Sequence, residues 1–105
     1  MNETEFQLLV DAALNTLSGA LEEMDQKGTL DVEFQDGVMT ITMPAGKQFI
    51  VSKHTASRQI WLSSPLSGGL HFGYHNHEWR LPDGRTLSGV LSRELKTLAE
   101  IEVVF

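Results

Sequence analysis

The sequence predicts an α+β fold, a two-layer α/β sandwich in which two helices pack on one face of a five- to six-stranded antiparallel sheet. An apolar stripe with helical spacing stands near each end of the chain, and segments of alternating polar and apolar residues lie between them. The connections between these segments are short and rich in turn residues, as neighbouring antiparallel strands require. With 105 residues and 41% apolar side chains, we expect one core and a single domain over residues 1–105.

The first helix is predicted from Glu3 to about Met24. Asn2 can cap it and Glu5 can complete a capping box, while Glu3 and Glu5 stand where the positive end of the helix dipole favours carboxylates. The apolar stripe of this helix comprises Phe6, Leu9, Val10, Ala13, Leu17, Leu21 and Met24. One such stripe is enough to pack the helix against a sheet.

Strand patterns begin after the segment 26–29, where Gly28 can take the left-handed turn that ends a helix. The first two strands, over residues 30–35 and 38–43, flank Asp36-Gly37, a strong signal for a two-residue hairpin. Four further alternating segments are predicted as strands, over residues 48–52, 58–63, 70–74 and 78–81.

A second helix and an extended tail complete the predicted fold. Thr86 can cap this helix, whose stripe comprises Leu87, Val90, Leu91, Leu95 and Leu98. In the tail, Ile101, Val103 and Phe105 alternate with other residues, so the tail has apolar side chains to bury.

Trp61 is predicted to lie on the open face of the sheet. Ile60 and Leu62 fall on one face of the strand, while Trp61 falls on the other with Gln59 and Ser63. Two helices with one apolar stripe each can cover only one sheet face. The alternation therefore favours exposure of Trp61 over burial in the core.

Composition excludes several kinds of chemistry. The chain has no cysteine, so it has no disulfide, thiolate metal site or cysteine nucleophile. A net charge of -6 argues against a nucleic-acid partner and favours cations or a basic protein surface. There is no apolar run long enough to span a membrane, and the first residues, with Glu3 and Glu5, do not read as a signal peptide. We therefore expect a cytoplasmic protein.

Several motifs together resemble the frataxin family, and in particular its bacterial (CyaY-like) branch. They are the run Gln59-Ile60-Trp61-Leu62-Ser63-Ser64-Pro65, the hairpin Asp36-Gly37-Val38 with its Thr-Ile-Thr strand, and Glu78-Trp79 before the closing helix. The resemblance extends over residues 3–105. It implies weak iron binding (Fe²⁺ or Fe³⁺) by surface carboxylates, and regulation of iron–sulfur cluster assembly through a cysteine desulfurase and its scaffold protein. We expect a monomer when the protein is iron-free.

The resemblance implies metal ligands on the first helix and first strand. The matching positions are Glu22, Glu23, Asp25, Asp31 and Glu33, with Asp11, Glu3 and Glu5 as more distant candidates. The cluster at the C-terminal end of the helix supports this independently, because the helix dipole disfavours anions there by roughly 0.3 to 1 kcal/mol each. Positions that are often acidic in bacterial relatives are occupied here by Ser18, Gly19, Lys27 and Thr29. We therefore expect this protein to bind fewer metal ions than those relatives.

The open face is the predicted partner-binding surface, with Trp61, Gln59, Arg58, Ser57 and His71 as its candidates. His71, His75 and His77 lie within seven residues, but without a fourth ligand nearby we favour ordinary polar residues over a designed metal site. His54 is given no role.

Three functions stay open at this point. The leading one is an iron-binding regulator of cluster assembly that is not an enzyme. A metal-independent protein-interaction module is the main alternative. A ferroxidase or iron-storage protein is a minor one, because the sequence lacks the Glu-x-x-His pattern of buried di-iron sites.

Overall fold

The computed structural model describes residues 1–25 and 27–105; Gln26, in the segment predicted to end the first helix, lies outside them. In chain order the elements are α1 (Glu3–Met24), β1 (Asp31–Gln35), β2 (Val38–Thr42), β3 (Gln48–His54), β4 (Gln59–Ser64), β5 (Gly68–His75), β6 (Glu78–Arg80) and α2 (Leu87–Ala99). Each strand pairs antiparallel with the next, in the spatial order β1-β2-β3-β4-β5-β6. The predicted fold class is confirmed, with six strands.

Helix α1 starts at the predicted residue, and the Asn2 side chain caps it by accepting a hydrogen bond of 2.8 Å from the Glu5 amide. The Glu5 side chain does not return a hydrogen bond to the Asn2 amide, so the predicted capping box is only half formed. Its buried residues are Phe6, Val10, Leu14, Leu17 and Leu21. Leu14 was missing from the predicted stripe, whereas Met24, which the stripe included, is 36% exposed at the end of the helix. Neither α1 nor α2 is long and apolar enough to cross a membrane, and the same holds for the rest of the described chain.

The core lies between the helices and the inner face of the sheet. Strands β2 to β5 contribute the fully buried side chains Met39, Ile41, Phe49, Val51, Ile60, Leu62 and Phe72. The tail closes this core as predicted, since Val103 is only 2% exposed and its carbonyl accepts a hydrogen bond from the Ser92 hydroxyl. Val104, the next residue, is 76% exposed.

A buried carboxylate ties α2 to the loop between β4 and β5. Glu94 is 5% exposed and accepts hydrogen bonds from the hydroxyl groups of Ser64 and Ser67. The Ser64 oxygen in turn accepts hydrogen bonds of 3.0 Å from the amides of Leu66 and Ser67. Every polar group of this cluster therefore has a partner, which is what burial of a carboxylate requires.

The hairpin between β5 and β6 contains an unusual turn. His75 pairs with Glu78, and the two residues between them, Asn76 and His77, have φ angles of 52° and 64°. The matching hairpin between β1 and β2 has glycine at its second turn position, Gly37, with φ of 74°. Two-residue turns of this kind favour Asn-Gly, so His77 occupies a position that suits glycine.

Replacing His77 with glycine is expected to raise the free energy of unfolding by about 0.5 to 1 kcal/mol. The left-handed conformation costs a non-glycine residue roughly 1–2 kcal/mol, of which the greater freedom of glycine in the unfolded chain offsets about half. Urea unfolding of His77→Gly measures the change. Asn76→Gly is the matched control with a smaller gain, because asparagine tolerates this conformation. A lower stability of His77→Gly would contradict the assigned strain.

Candidate metal and partner-binding surfaces

Five of the predicted metal ligands border one edge of the sheet, and we call Glu22, Glu23, Asp25, Asp31 and Glu33 the acidic edge. Strand β1 is the edge strand, and α1 packs beside it. Asp31 and Glu33 are exposed and alternate with the half-buried Val32 and Phe34, so they face away from the helices. Glu22 and Glu23 are exposed near the end of α1.

The three more distant candidates lie toward the other end of α1. Asp11, Glu3 and Glu5 are all exposed. At a rise of about 1.5 Å per residue, Asp11 is about 17 Å along the helix from Glu22, and Glu5 is about 26 Å from it. These residues therefore cannot share one ion with the acidic edge.

Asp25 has a structural task that the sequence did not reveal. Its carboxylate accepts hydrogen bonds from the Leu30 amide at 2.7 Å, the Thr29 amide at 2.9 Å and the Thr29 hydroxyl at 2.8 Å. Partial burial raises the pKa of Asp25, but these three hydrogen bonds outweigh it and lower the pKa below its ordinary value. The unfavourable position of this anion at the helix end is thereby compensated, whereas that of Glu22 and Glu23 is not.

Replacing Asp25 with alanine is expected to lower the free energy of unfolding by about 1–2 kcal/mol at pH 7, since two backbone amides lose their acceptor. Because the pKa of Asp25 is lower in the folded state, its contribution is present above the unfolded pKa of about 4 and is lost as the pH falls through the folded value. Urea unfolding at pH 7 and at pH 3 checks both statements. Asp31→Ala is the control, and equal losses in both variants would contradict the capping role.

Within residues 1–25 and 27–105, no three His, Asp or Glu side chains form a cluster that could hold a metal ion. Iron on the acidic edge would thus be bound by few carboxylates, with water completing its coordination, as hard cations on open oxygen sites allow. The assignment of these residues as ligands stays a prediction.

The three neighbouring histidines are divided between two sides of the molecule. His71 lies on the open face, and the His75 ring folds back along β5, with its Nε2 2.9 Å from where a Cβ on residue 73 would stand. His77 instead lines a groove of 370 Å³ between α1 and the start of α2, where Trp79 also lies. Glycine at position 73 leaves the space that the His75 ring needs.

Trp61 lies on the sheet face away from the helices, as predicted. Its chain neighbours Ile60 and Leu62 are 0% and 1% exposed on the inner face, whereas Trp61 is half-buried. Two imidazole rings stack on the indole, His54 at 3.7 Å with an interplanar angle of 8° and His71 at 4.2 Å with an angle of 11°. We call these three residues the aromatic stack.

A chain of hydrogen bonds fixes the aromatic stack from one side. The indole Nε1–H of Trp61 donates to Gln59 Oε1 at 3.0 Å, and the hydroxyl of Ser57 donates to the same oxygen at 3.0 Å. Nδ1 of His54 lies 2.7 Å from the Ser57 oxygen. Four of the five predicted partner-binding residues, namely Trp61, Gln59, Ser57 and His71, therefore lie together.

Arg58, the fifth, is directed elsewhere. Its guanidinium carbon lies 5.9 Å from the centre of the Phe6 ring, which belongs to α1, and the same group hydrogen-bonds the Thr55 carbonyl. The charge of Arg58 is thus turned toward the helix layer. The residue that sequence reasoning missed is His54, which pairs with Gln59 across β3 and β4 and so stands diagonal to Trp61.

The fold and these surfaces define a small α+β protein with an acidic edge and an aromatic open face. Residues 1–101 match the Frataxin-like domain. The chain therefore belongs to the frataxin family, whose members generally bind iron and are not enzymes.

Individual relatives agree with this assignment. The chain is 38% identical over 90 residues to the mitochondrial frataxin homolog of Saccharomyces cerevisiae, covering 82% of this chain and 52% of that protein, so it spans about half the relative's length. A CyaY-family frataxin of Psychromonas ingrahamii has a TM-score of 0.89 over 98% of this chain and 96% of its own, and its 23% identity shows the shared fold. A trimeric yeast frataxin complexed with ferrous iron has a TM-score of 0.67 and 35% identity, covering 92% and 85% of the two chains.

Proposed function

We propose that this protein binds ferrous iron weakly on its acidic edge and regulates iron–sulfur cluster assembly, through contact of the aromatic stack with a cysteine desulfurase and its scaffold protein. It acts as a single domain over residues 1–105, is cytoplasmic, and is a monomer when iron-free. Support for iron as the ligand comes from the family and from the yeast relative complexed with ferrous iron.

One observation supports the iron-binding part of the proposal. Glu22, Glu23, Asp31 and Glu33 are exposed on one edge, and none of them forms an ion pair within the described chain. The salt bridges that do form use Glu78, Asp83 and Glu102, at the other side of the sheet or near α2 and the tail. The acidic edge therefore keeps its negative charge available for a cation.

The second candidate function is a metal-independent interaction module. The engagement of Asp25 favours it, because a carboxylate that accepts three hydrogen bonds is less available to a metal. Under this alternative the acidic edge attracts a basic protein surface and iron plays no part. Iron storage and ferroxidase activity are minor alternatives.

An anoxic titration with Fe(II), followed by amide NMR signals, tests the proposal. We expect paramagnetic broadening at Glu22, Glu23, Asp31 and Glu33, with the signals of His71, His75 and His77 unchanged. The expected broadening disappears in a variant with Glu22→Gln, Glu23→Gln, Asp31→Asn and Glu33→Gln, which removes the charge of the edge.

The matched control removes similar charges elsewhere. Glu100→Gln with Glu102→Gln neutralises two exposed carboxylates beyond α2 and is expected to leave the broadening unchanged. Broadening confined to the histidines, or no change at all, would reject iron binding on the acidic edge and favour the interaction module.

A further inference from the structure

The hydrogen bonds beside the aromatic stack fix where its protons lie. An indole N–H only donates, so the Gln59 atom facing Trp61 is the carbonyl oxygen. That oxygen only accepts, so the Ser57 hydroxyl donates to it. The hydroxyl proton is then committed, and the Ser57 oxygen accepts from His54 Nδ1–H. Neutral His54 therefore carries its proton on Nδ1, and its lone pair is on Nε2.

Protonation leaves this arrangement in place. The hydrogen-bonded Nδ1–H is present in both the neutral and the charged imidazole, so the second proton adds at Nε2 without breaking a bond of the chain. Stacking also survives, because a charged imidazole over an indole gains a cation–π attraction. Addition of a second proton thus changes the charge and the hydrogen-bonding character of His54, while its position stays fixed.

Few other charged or titratable groups face the stack. On β3, Lys53 is turned toward the helix layer, where its amine donates to Gln7. On β6, Glu78 and Arg80 form a salt bridge of 3.5 Å. The remaining titratable groups on this face are His75 on β5, and Asp31 and Glu33 on the distant strand β1. Histidine is the side chain whose charge ordinarily changes between about pH 5 and 8.

We propose that the open face, through His54 and His71, is a docking surface at which protonation weakens binding. His54 Nε2 accepts a hydrogen bond from a donor on a basic partner surface, and protonation of Nε2 turns this acceptor into a donor. The partner chemistry follows from two facts. Within the described chain no group donates to His54 Nε2, and the net charge of -6 favours a positively charged partner. The inference rests on the proposed function, in which this face binds the desulfurase–scaffold complex.

The covered indole also limits how a partner reaches it. Both π faces of Trp61 already bear imidazole rings. A partner can therefore contact only the edge of the Trp61 ring and the two imidazoles. His71 positions the indole for that contact, and His54 both positions the indole and binds the partner directly.

The first experiment needs no partner. A long-range ¹H–¹⁵N spectrum of the histidine rings at pH 7.5 is expected to show His54 protonated at Nδ1, and the Trp61 indole N–H signal is expected to persist from pH 7.5 to 6.0. His54 protonated at Nε2 instead, or loss of the indole signal on acidification, would overturn the inference whether or not the face binds a partner.

The second experiment measures binding of the purified desulfurase–scaffold complex at pH 7.5 and 6.0. We expect the affinity of the natural protein to fall about tenfold on acidification, because donor then faces donor across the contact. In the double variant His54→Phe, His71→Phe, which keeps flat rings on Trp61, the fall is expected to be less than twofold. His77→Gln, on the opposite side, is expected to behave like the natural protein.

The two experiments separate the failure of this inference from that of the proposed function. Titration of groups on the partner affects the affinity of all variants alike. The difference in pH dependence between the natural protein and the double variant therefore measures the contribution of His54 and His71. An equal fall in the natural protein and the double variant would overturn proton control while binding itself stands. Absence of binding at both pH values would overturn the proposed docking function and this inference with it, even with His54 protonated at Nδ1.

Discussion

Replacing Trp61 with alanine is expected to weaken binding to the desulfurase–scaffold complex by about 30-fold or more, while the protein stays folded. Tryptophans at the centre of interfaces commonly contribute 2 kcal/mol or more, which corresponds to that factor. Here the indole is held in one orientation by His54, His71 and Gln59 before any partner arrives. Little side-chain entropy is then lost on binding, which favours a strong contribution.

Calorimetric titration of the complex measures the affinity, and a thermal melt confirms folding. Leu8→Ala is the matched control, because Leu8 is an apolar side chain that is 67% exposed on α1, away from the open face. We expect this control to bind like the natural protein. Unchanged affinity of Trp61→Ala would mean that the open face is not the docking surface.

Replacing Val103 with aspartate is expected to lower the free energy of unfolding by about 4 kcal/mol. Val103 is 2% exposed, and the substitution both removes its apolar burial, about 1.5–3 kcal/mol, and brings a carboxylate into an apolar site. The tail lies against α2 through the hydrogen bond from Ser92 to the Val103 carbonyl. Releasing the tail to hydrate the new charge would expose apolar residues that it now covers, so either response destabilises the fold.

The neighbouring residue provides the control for this prediction. Val104 is 76% exposed, so Val104→Asp introduces the same charge one residue away and is expected to change stability by less than about 0.5 kcal/mol. Urea unfolding of the two variants makes the comparison. Equal effects would show that the change in total charge, rather than burial of position 103, governs the loss.

The fold was predictable because its signals are local. The alternation around Trp61 placed it on the open face, and Asp36-Gly37 marked the first hairpin; both are properties of a few adjacent residues. The apolar stripe of α1 was less accurate. Periodicity treats every turn of the helix alike, whereas Met24 is the last residue of α1 and is more exposed than expected.

The details of the candidate surfaces depended on contacts between distant parts of the chain. The stacking of His54 on Trp61 follows from the register of β3 with β4, which no local pattern gives. The position of Arg58 depends on Phe6, 52 residues away in the chain. The hydrogen bonds of Asp25 join residues that are close in sequence, yet they could not be predicted without the backbone conformation. Serine, threonine and acidic residues near a helix end are compatible with several hydrogen-bonding arrangements.

The hydrogen bonds among Glu94, Ser64 and Ser67 also protect backbone amides in the loop that follows β4. Leu66 is 53% exposed, so its amide would ordinarily exchange with solvent deuterium as fast as other loop amides do. The amides of Leu66 and Ser67, however, donate to Ser64, which α2 holds through Glu94. These two amides should therefore exchange only when α2 separates from the loop, so deuterium exchange at an exposed loop measures the opening of the helix packed beside it.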